Sequence, residues 1–157
     1  MPQSAASSSL PESHLPNQDR LRLLEQICVQ HQVATLYAFG SRSREAFAWL
    51  QGAQHALTPC ASDLDIGARP VPGVRWSVAE KVRLAISLED LFDCARVDLV
   101  VLPEADLFVA AEVIRGERLW ARDDYEADEY DLYVLRRAGD LAPWERERIE
   151  LVLRGRP

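Results

Sequence analysis

The spacing of apolar residues along the chain predicts the order of its helices and strands. Apolar residues recur at helical spacing in residues 19–31, which predicts an amphipathic first helix whose start Asn17 or Asp19 can cap. Residues 33–39 are apolar, β-branched and aromatic and end at Gly40, a pattern typical of a buried strand followed by a tight turn. A second helix is predicted directly after this turn.

The middle of the chain predicts two more strands with a long helix between them. Residues 62–70 favour a strand, because polar and apolar side chains alternate there. Ser77 and Glu80 make a capping box, which predicts a helix with one apolar side that ends near residue 93. Residues 95–103 are mostly apolar and end in a proline, which indicates a third strand.

The last third of the chain predicts helices around one more extended segment. Residues 105–115 favour a helix and residues 116–121 a short extended piece. Gly139 is placed to end the helix predicted from about residue 123, and Pro143 suits the first turn of a last helix. These elements together predict an α/β or α+β fold, with a small mixed β-sheet flanked by helices.

Length and charge limit the domain count and the partners. The length suits a single domain, predicted over residues 18–157. Residues 1–17 are polar and rich in Pro and Ser, and we expect them to form a flexible tail. The formal net charge is −7, which argues against long nucleic acid as a partner, because that binding depends on clustered Lys and Arg. A nucleotide that carries its own Mg²⁺ remains compatible with this charge.

The sequence carries no signal for secretion or membrane insertion. No apolar run approaches the length of a membrane helix, and the first residues do not resemble a signal peptide. Cys28, Cys60 and Cys94 are widely spaced and odd in number, which predicts free thiols rather than a disulfide framework or a zinc site. We therefore expect a protein of the cytoplasm without a membrane partner.

Three aspartates lie in two of the predicted strands. Asp63 and Asp65 are two residues apart, so they share one face of a strand and can converge on a pair of metal ions. Without a cation the two carboxylates repel each other; the alternative is that they lie on a solvated strand face. Asp98 lies in a mostly apolar strand, where a buried charge needs a partner. That partner is either a shared metal ion or an arginine, Arg69 or Arg96.

The Gly-Ser pair after the first strand offers phosphate-binding chemistry. Gly40 allows a close turn, and the Ser41 hydroxyl and the free backbone N–H groups of the next helix can bind phosphate oxygens. The alternative is a plain turn in which Ser41 only caps the helix. A Gly-Ser turn, a D-x-D strand and a strand with a third aspartate, in this order, are much less common together than separately. The combination favours one nucleotide site.

Three segments of the chain together resemble a known family. FGSRSRE, SDLDI and VDLVVL are similar to the motifs of the minimal nucleotidyltransferases in the DNA polymerase beta superfamily, specifically the MntA-type antitoxins of HEPN/MNT toxin–antitoxin pairs. The resemblance covers about residues 36–120 and includes EVIRGERLW at its end. It implies the nucleotidyltransferase fold, which is like the palm of polymerase beta.

The resemblance assigns roles to the residues singled out above. Gly40 and Ser41 match the phosphate-binding turn. Asp63 and Asp65 match ligands of two Mg²⁺ ions, and Asp98 matches the third carboxylate, which could instead act as the base. The implied reaction transfers a nucleoside monophosphate, AMP from ATP in these antitoxins, to a hydroxyl group. The implied acceptor is a tyrosine of the partner HEPN toxin, an RNase that AMP silences.

The chain departs from the family pattern between the two halves of the site. Twenty-one residues separate the Gly-Ser pair from the D-x-D pair, more than is usual in the family. We therefore expect an insertion at about residues 46–58, at the rim of the site. Glu45 stands where the family's G-S-x-A-R-G pattern ends in Gly, whereas Arg44 is kept and is expected to bind the nucleotide. For Arg42 and Arg44 the alternative is a position on the surface of a helix.

Other functions stay open at the level of the sequence. The same fold could neutralise a partner by binding alone, or transfer a nucleotide to a small molecule. Tyr125, Tyr130 and Tyr133 are either packing residues of a late helix or acceptors for self-modification. D-x-D also opens the catalytic motif of haloacid-dehalogenase-like phosphatases, but Gly67 stands where Thr or Val usually follows, which argues against that class.

Overall fold

The computed structural model describes residues 16–58 and 62–155, so the predicted N-terminal tail lies almost wholly outside the described residues. Within these two ranges, nine helices and strands follow one another, with two short 3-10 turns at Gly40–Arg42 and Leu102–Glu104. The helices are α1 (Asn17–Gln30), α2 (Ser43–Leu50), α3 (Val78–Phe92), α4 (Leu107–Ile114) and α5 (Asp124–Arg154), and the strands are β1 (Val33–Phe39), β2 (Leu64–Pro70), β3 (Val97–Val101) and β4 (Glu117–Ala121).

The four strands form one mixed sheet in the order β3-β2-β1-β4. β1 pairs antiparallel with both β2 and β4, whereas β2 and β3 run parallel. A parallel pair needs a crossover between its strands, and α3 supplies it. The predicted α+β fold with a small mixed sheet flanked by helices is confirmed.

Helices cover both faces of the sheet. Side chains alternate along each strand, so each strand contributes residues to both faces. On β1, Leu36 and Ala38 point into a core shared with α1, α2 and α3. Tyr37 points to the other face, into a second core formed with α4 and α5. The sheet is thus the middle layer of three.

The face towards α4 and α5 also carries the polar residues of β2. Leu64 and Ile66 are fully buried in the first core, so Asp65 and Gly67 face the other way. Gly67 lies directly beneath α4, where a Cβ atom would overlap the side chain of Val113. α4 therefore packs closely on Gly67. Asp65 lies on the same face, two residues earlier and near the start of β2.

One long helix replaces the two predicted at the C-terminus. α5 begins after Asp123, whose side chain caps it by accepting from the backbone N–H of Glu126, and it continues through Gly139 and Pro143 to Arg154. The proline ring crowds the carbonyl four residues earlier and removes its hydrogen bond. That carbonyl belongs to Gly139, which is exposed, so water can bind it without breaking the helix.

The other element boundaries follow the predictions with small differences. The capping box of Ser77 and Glu80 begins α3 as predicted. α1 begins after Pro16, and neither Asn17 nor Asp19 caps it with a side chain. None of the helices in the described ranges combines the length and the apolar character that crossing a membrane requires. Cys28 and Cys94 are free thiols, and Cys60 lies outside the described residues.

Candidate active site

The turn after β1 is built around Gly40. Its φ of +71° is a conformation that side chains rarely adopt, and it turns the chain from the strand into the 3-10 turn that precedes α2. Gly40 and Ser41 are both exposed. As the sequence predicts, the buried strand ends in a tight Gly-Ser turn. The structure adds that this turn is open to solvent.

The turn lies directly against one of the predicted carboxylates. Phe39 at the end of β1 is the register partner of Asp65 on β2, which brings Asp65 next to the following Gly40. A Cβ atom on Gly40 would be only 2.5 Å from Oδ2 of Asp65. The glycine thus leaves room for the carboxylate as well as allowing the turn.

The second and third aspartates lie close to Asp65. Asp63 is one residue before β2 and is partly exposed. Asp98 on β3 is the register partner of Asp65 on the neighbouring parallel strand. Residues in register on adjacent strands present their side chains to the same face, so Asp65 and Asp98 lie side by side. Asp98 is exposed rather than buried, because β3 is an edge strand of the sheet.

The charges of the three carboxylates act on one another. The pKa of Asp65 is raised above its ordinary value, first by burial and then by the negative charges of Asp98 and Asp63. Nε of Arg96 lies 3.6 Å from Oδ2 of Asp63, and both side chains are largely open to solvent, so this pair is weak. Asp65 therefore carries an electrostatic cost that a bound cation would relieve.

These carboxylates are near one another without forming a closed cage. Within residues 16–58 and 62–155, no three His, Cys, Asp or Glu side chains converge closely enough to hold a single metal ion as they stand. Asp65 and Asp98 come from paired strands, whereas Asp63 precedes the ladder and is turned towards Arg96. Strand pairing thus fixes the positions of Asp65 and Asp98, whereas the position of Asp63 depends on the chain that precedes β2.

The two arginines after the Gly-Ser pair have different places. Arg44 is exposed on the second residue of α2. Arg42 is buried, with only 6% of its surface exposed, and its guanidinium binds Glu45 and the carbonyls of Thr58 and Ser62. The expectation that Arg42 either reaches a phosphate or lies on a helix surface is wrong. The Arg-x-x-Glu spacing of Arg42 and Glu45 is the sequence signal for this pair.

The first residues of the expected insertion lie in a helix. Residues 46–50 belong to α2, where Ala46, Trp49 and Leu50 are buried in the first core, so the irregular part of this connection starts after α2. The three tyrosines of α5 do not all pack in the core, because Tyr125 and Tyr133 are exposed. Tyr130 lies under the guanidinium of Arg69, whose carbon is 4.4 Å from the ring centre.

In its fold, this chain is similar to solved structures of MNT nucleotidyltransferase antitoxins. One such structure is the MNT antitoxin in complex with a tri-AMPylated HEPN toxin of Shewanella oneidensis, with a TM-score of 0.61 and 18% identity over 88% of this chain and 99% of that one. A second is a toxin–antitoxin with AMP-PNP, with a TM-score of 0.62 and 21% identity over 85% of this chain and 98% of that one.

A third similar structure is a mutant of the MntA toxin–antitoxin complex with two aspartate-to-glutamate changes two positions apart. Its TM-score is 0.62, with 21% identity over 88% of this chain and 99% of that one. No protein-family model matches the sequence, and no curated protein matches it. At these identities the likeness establishes the fold of the chain, which is the nucleotidyltransferase fold predicted from its motifs.

Proposed function

We propose that this chain is a Mg²⁺-dependent nucleotidyltransferase that moves AMP from ATP to a hydroxyl group of a partner HEPN toxin and so acts as its antitoxin. The observation that carries the proposal is the close approach of the Gly40 backbone to the carboxylate of Asp65, beside Asp98. It supports one site that combines the Gly-Ser turn with the carboxylates. The similar structures support it, since one contains a tri-AMPylated HEPN toxin and another AMP-PNP.

The Gly-Ser turn is the part of the site proposed to bind the triphosphate. Gly40 and Ser41 are exposed, and the backbone N–H groups that open the 3-10 turn Gly40–Arg42, which leads into α2, have no acceptor within that turn. Such groups, with the positive end of the helix dipole, bind phosphate oxygens. Arg44 on the same helix is proposed to add a positive charge for the nucleotide. We therefore assign the β- and γ-phosphates to this turn.

The three aspartates fit a hard divalent cation. Their oxygens are the ligands that Mg²⁺ prefers, and the pKa of Asp65 is raised first by burial and then by the negative charges of Asp98 and Asp63, effects that a bound cation would oppose. We propose that Asp63 and Asp65 hold two Mg²⁺ ions with Asp98 as the third ligand. Bound Mg²⁺ offsets the charge of the triphosphate and lowers the pKa of the attacking hydroxyl.

The transfer itself is a displacement at the α-phosphorus of ATP. A bond forms from the acceptor oxygen to this phosphorus, the bond to pyrophosphate breaks, and pyrophosphate leaves with the electron pair. Asp98 is exposed at the sheet edge, where an acceptor from outside can reach it, and it is proposed to take the hydroxyl proton. A tyrosine of the toxin is the proposed acceptor. The free thiols of Cys28 and Cys94 fit a place in the reducing cytoplasm.

Label transfer from ATP tests this proposal directly. The protein is incubated with Mg²⁺, ATP labelled at the α-phosphate and a HEPN toxin that co-purifies with it, and labelled toxin is measured. We expect transfer by the wild type, a loss of about 100-fold or more in Asp63→Ala and Asp65→Asn, which remove proposed metal ligands, and an unchanged rate in the exposed helix variant Asp140→Asn. Transfer that survives Asp63→Ala removes the catalytic assignment. Inhibition of the toxin that survives without transfer shows neutralisation by binding alone.

A further inference from the structure

The added chain between the Gly-Ser turn and the aspartates is fastened by side chains that the proposed reaction does not use. Arg42 donates from Nη1 to the carbonyl of Ser62 at 3.0 Å and from Nη2 to the carbonyl of Thr58 at 2.8 Å. Its Nε lies 3.2 Å from Oε2 of Glu45. One buried guanidinium thus binds the chain at two points shortly before Asp63, at Thr58 and at Ser62.

Glu45, which forms the ion pair with Arg42, also contacts the added chain. Its Oε1 accepts from the backbone N–H of Thr58 and lies 3.4 Å from Nε2 of Gln54. Burial raises the pKa of Glu45, but the hydrogen bonds from Arg42 and Thr58 and the positive charge of Arg42 outweigh this effect and hold the pKa below its ordinary value. The carboxylate therefore stays charged and paired with Arg42 at neutral pH.

A second buried arginine anchors the same segment farther from the aspartates. Arg20 on α1 donates to the carbonyls of Trp49 at 2.6 Å and Gln54 at 2.9 Å, and its guanidinium lies over the Trp49 ring. Nη2 of Arg20 also donates to the carbonyl of His55 at 3.3 Å. Arg20 thus holds the beginning of the segment, whereas Arg42 holds its end.

Asp63 depends on this end more than the other two aspartates do. Asp65 and Asp98 are fixed by strand pairing, but the ladder of β2 begins at Leu64. Arg42 follows Ser41 directly in the chain and binds the carbonyl of Ser62, the residue before Asp63. It is therefore a short bridge between the Gly-Ser turn and the aspartate that lies just before the strand ladder, where the N–H of Leu64 donates to the carbonyl of Arg96.

We propose that Arg42, kept in place by Glu45, is a positioning residue that sets Asp63 relative to the Gly-Ser turn for metal binding. The proposal rests on the proposed function and concerns the geometry of the same site. The planar guanidinium presents five N–H donors in a fixed arrangement, which lets one side chain bind three acceptors in different directions. A lysine at this position keeps the charge and the stem but cannot make the same set of bonds.

The test compares Arg42→Lys with the matched control Arg20→Lys. Mn²⁺ binding in the presence of AMP-PNP is measured by electron paramagnetic resonance, and amide hydrogen exchange is followed in peptides that contain Ser62 and Asp63. Thermal melts establish that each variant is folded. We expect Arg42→Lys to weaken Mn²⁺ binding by about 10-fold or more and to speed exchange at Asp63, whereas Arg20→Lys stays within about twofold of the wild type.

Metal rescue separates positioning from a general loss of structure. Saturating Mg²⁺ is expected to restore most of the transfer rate of Arg42→Lys, because the ligand is still present and only its placement is lost. Glu45→Gln is the milder variant, since it keeps an acceptor oxygen for Thr58 but loses the charge that pairs with Arg42. We expect it to weaken Mn²⁺ binding in the same direction by a smaller factor.

The outcomes divide as follows. Wild-type Mn²⁺ affinity in folded Arg42→Lys, or equal losses in Arg42→Lys and Arg20→Lys, overturns the positioning role while leaving the transferase activity of the wild type intact. If Arg42→Lys does not fold, Glu45→Gln decides, and unchanged Mn²⁺ affinity there overturns the role. A wild type that neither transfers AMP nor binds Mn²⁺ with AMP-PNP overturns the proposed function and the positioning role with it.

Discussion

Replacing Gly40 by alanine tests whether the Gly-Ser turn and the aspartates act as one site. Gly40 has a φ of +71°, a conformation that costs an L residue about 1–2 kcal/mol. The new Cβ would also lie 2.5 Å from Oδ2 of Asp65, so the carboxylate has to rotate away or the turn has to open. The variant is therefore expected to change the position of Asp65 as well as the stability of the fold.

Gly73→Ala is a matched control for the backbone cost. Gly73 has a φ of +86°, and a Cβ atom there would meet nothing within 4 Å. Both variants are expected to lose about 1–2 kcal/mol of unfolding free energy, which lowers the melting temperature by about 2–8 °C for a chain of this size. Only Gly40→Ala is expected to slow AMP transfer, by about 100-fold, because a displacement of about 1 Å at a reacting group has that effect.

The assay combines circular-dichroism melts with initial rates of label transfer. Rates are measured well below the lower of the two melting temperatures, so that every variant is folded. Equal transfer rates in Gly40→Ala and Gly73→Ala would refute the reasoning, since Gly40 would then serve only the backbone. A lower rate in Gly40→Ala with wild-type binding of Mn²⁺ and AMP-PNP would also count against it, because the displaced Asp65 is a proposed metal ligand.

Two further substitutions test the electrostatics and the packing around the site. Without metal, Asp65→Asn is expected to be more stable than the wild type near neutral pH yet inactive, because it removes a charge that burial, Asp98 and Asp63 disfavour. The raised pKa of Asp65 means that its protonation favours the folded state; this stabilisation is full below the ordinary aspartate pKa and is lost as pH rises through the raised value. Melts of both proteins across mildly acidic pH should therefore diverge as pH rises, and parallel curves would contradict the shift. Gly67→Ala places a methyl group against Val113 and should lower the unfolding free energy by about 1–3 kcal/mol, with a favourable coupling to Val113→Ala in urea unfolding; strictly additive effects would argue against that contact.

Local patterns predicted the elements well where one residue type decides the structure. The bounds of β1 match the predicted residues 33–39, because a β-branched and aromatic run ends at a glycine that has to adopt positive φ. The capping box of Ser77 and Glu80 begins α3 for a similarly local reason. The assignment of Asp65 to the face opposite Leu64 follows from strand alternation alone.

Features that depend on distant residues could not be predicted in this way. The exposure of Asp98 depends on the strand order, since an apolar strand is compatible with both a central and an edge position. The continuity of α5 depends on Gly139 being open to water four residues before Pro143. The burial of Arg42 requires the chain near Thr58 and Ser62 to return to α2, and no local pattern shows that return. The roles of Gly40, Ser41, Arg44 and the three aspartates in the reaction remain proposals.

The attachment of the added segment at both ends bears on how this connection can vary in length. Arg20 binds the carbonyls of Gln54 and His55, and Arg42 binds those of Thr58 and Ser62. The entropy cost of closing a loop grows slowly, by about 0.6 kcal/mol for each doubling of its length. Residues added between the carbonyls that Arg20 binds and those that Arg42 binds would thus cost little free energy of loop closure. They would leave the distance between the Gly-Ser turn and the aspartates unchanged. Insertions of different lengths can be tolerated there during evolution, and the same stretch offers a place for engineered additions.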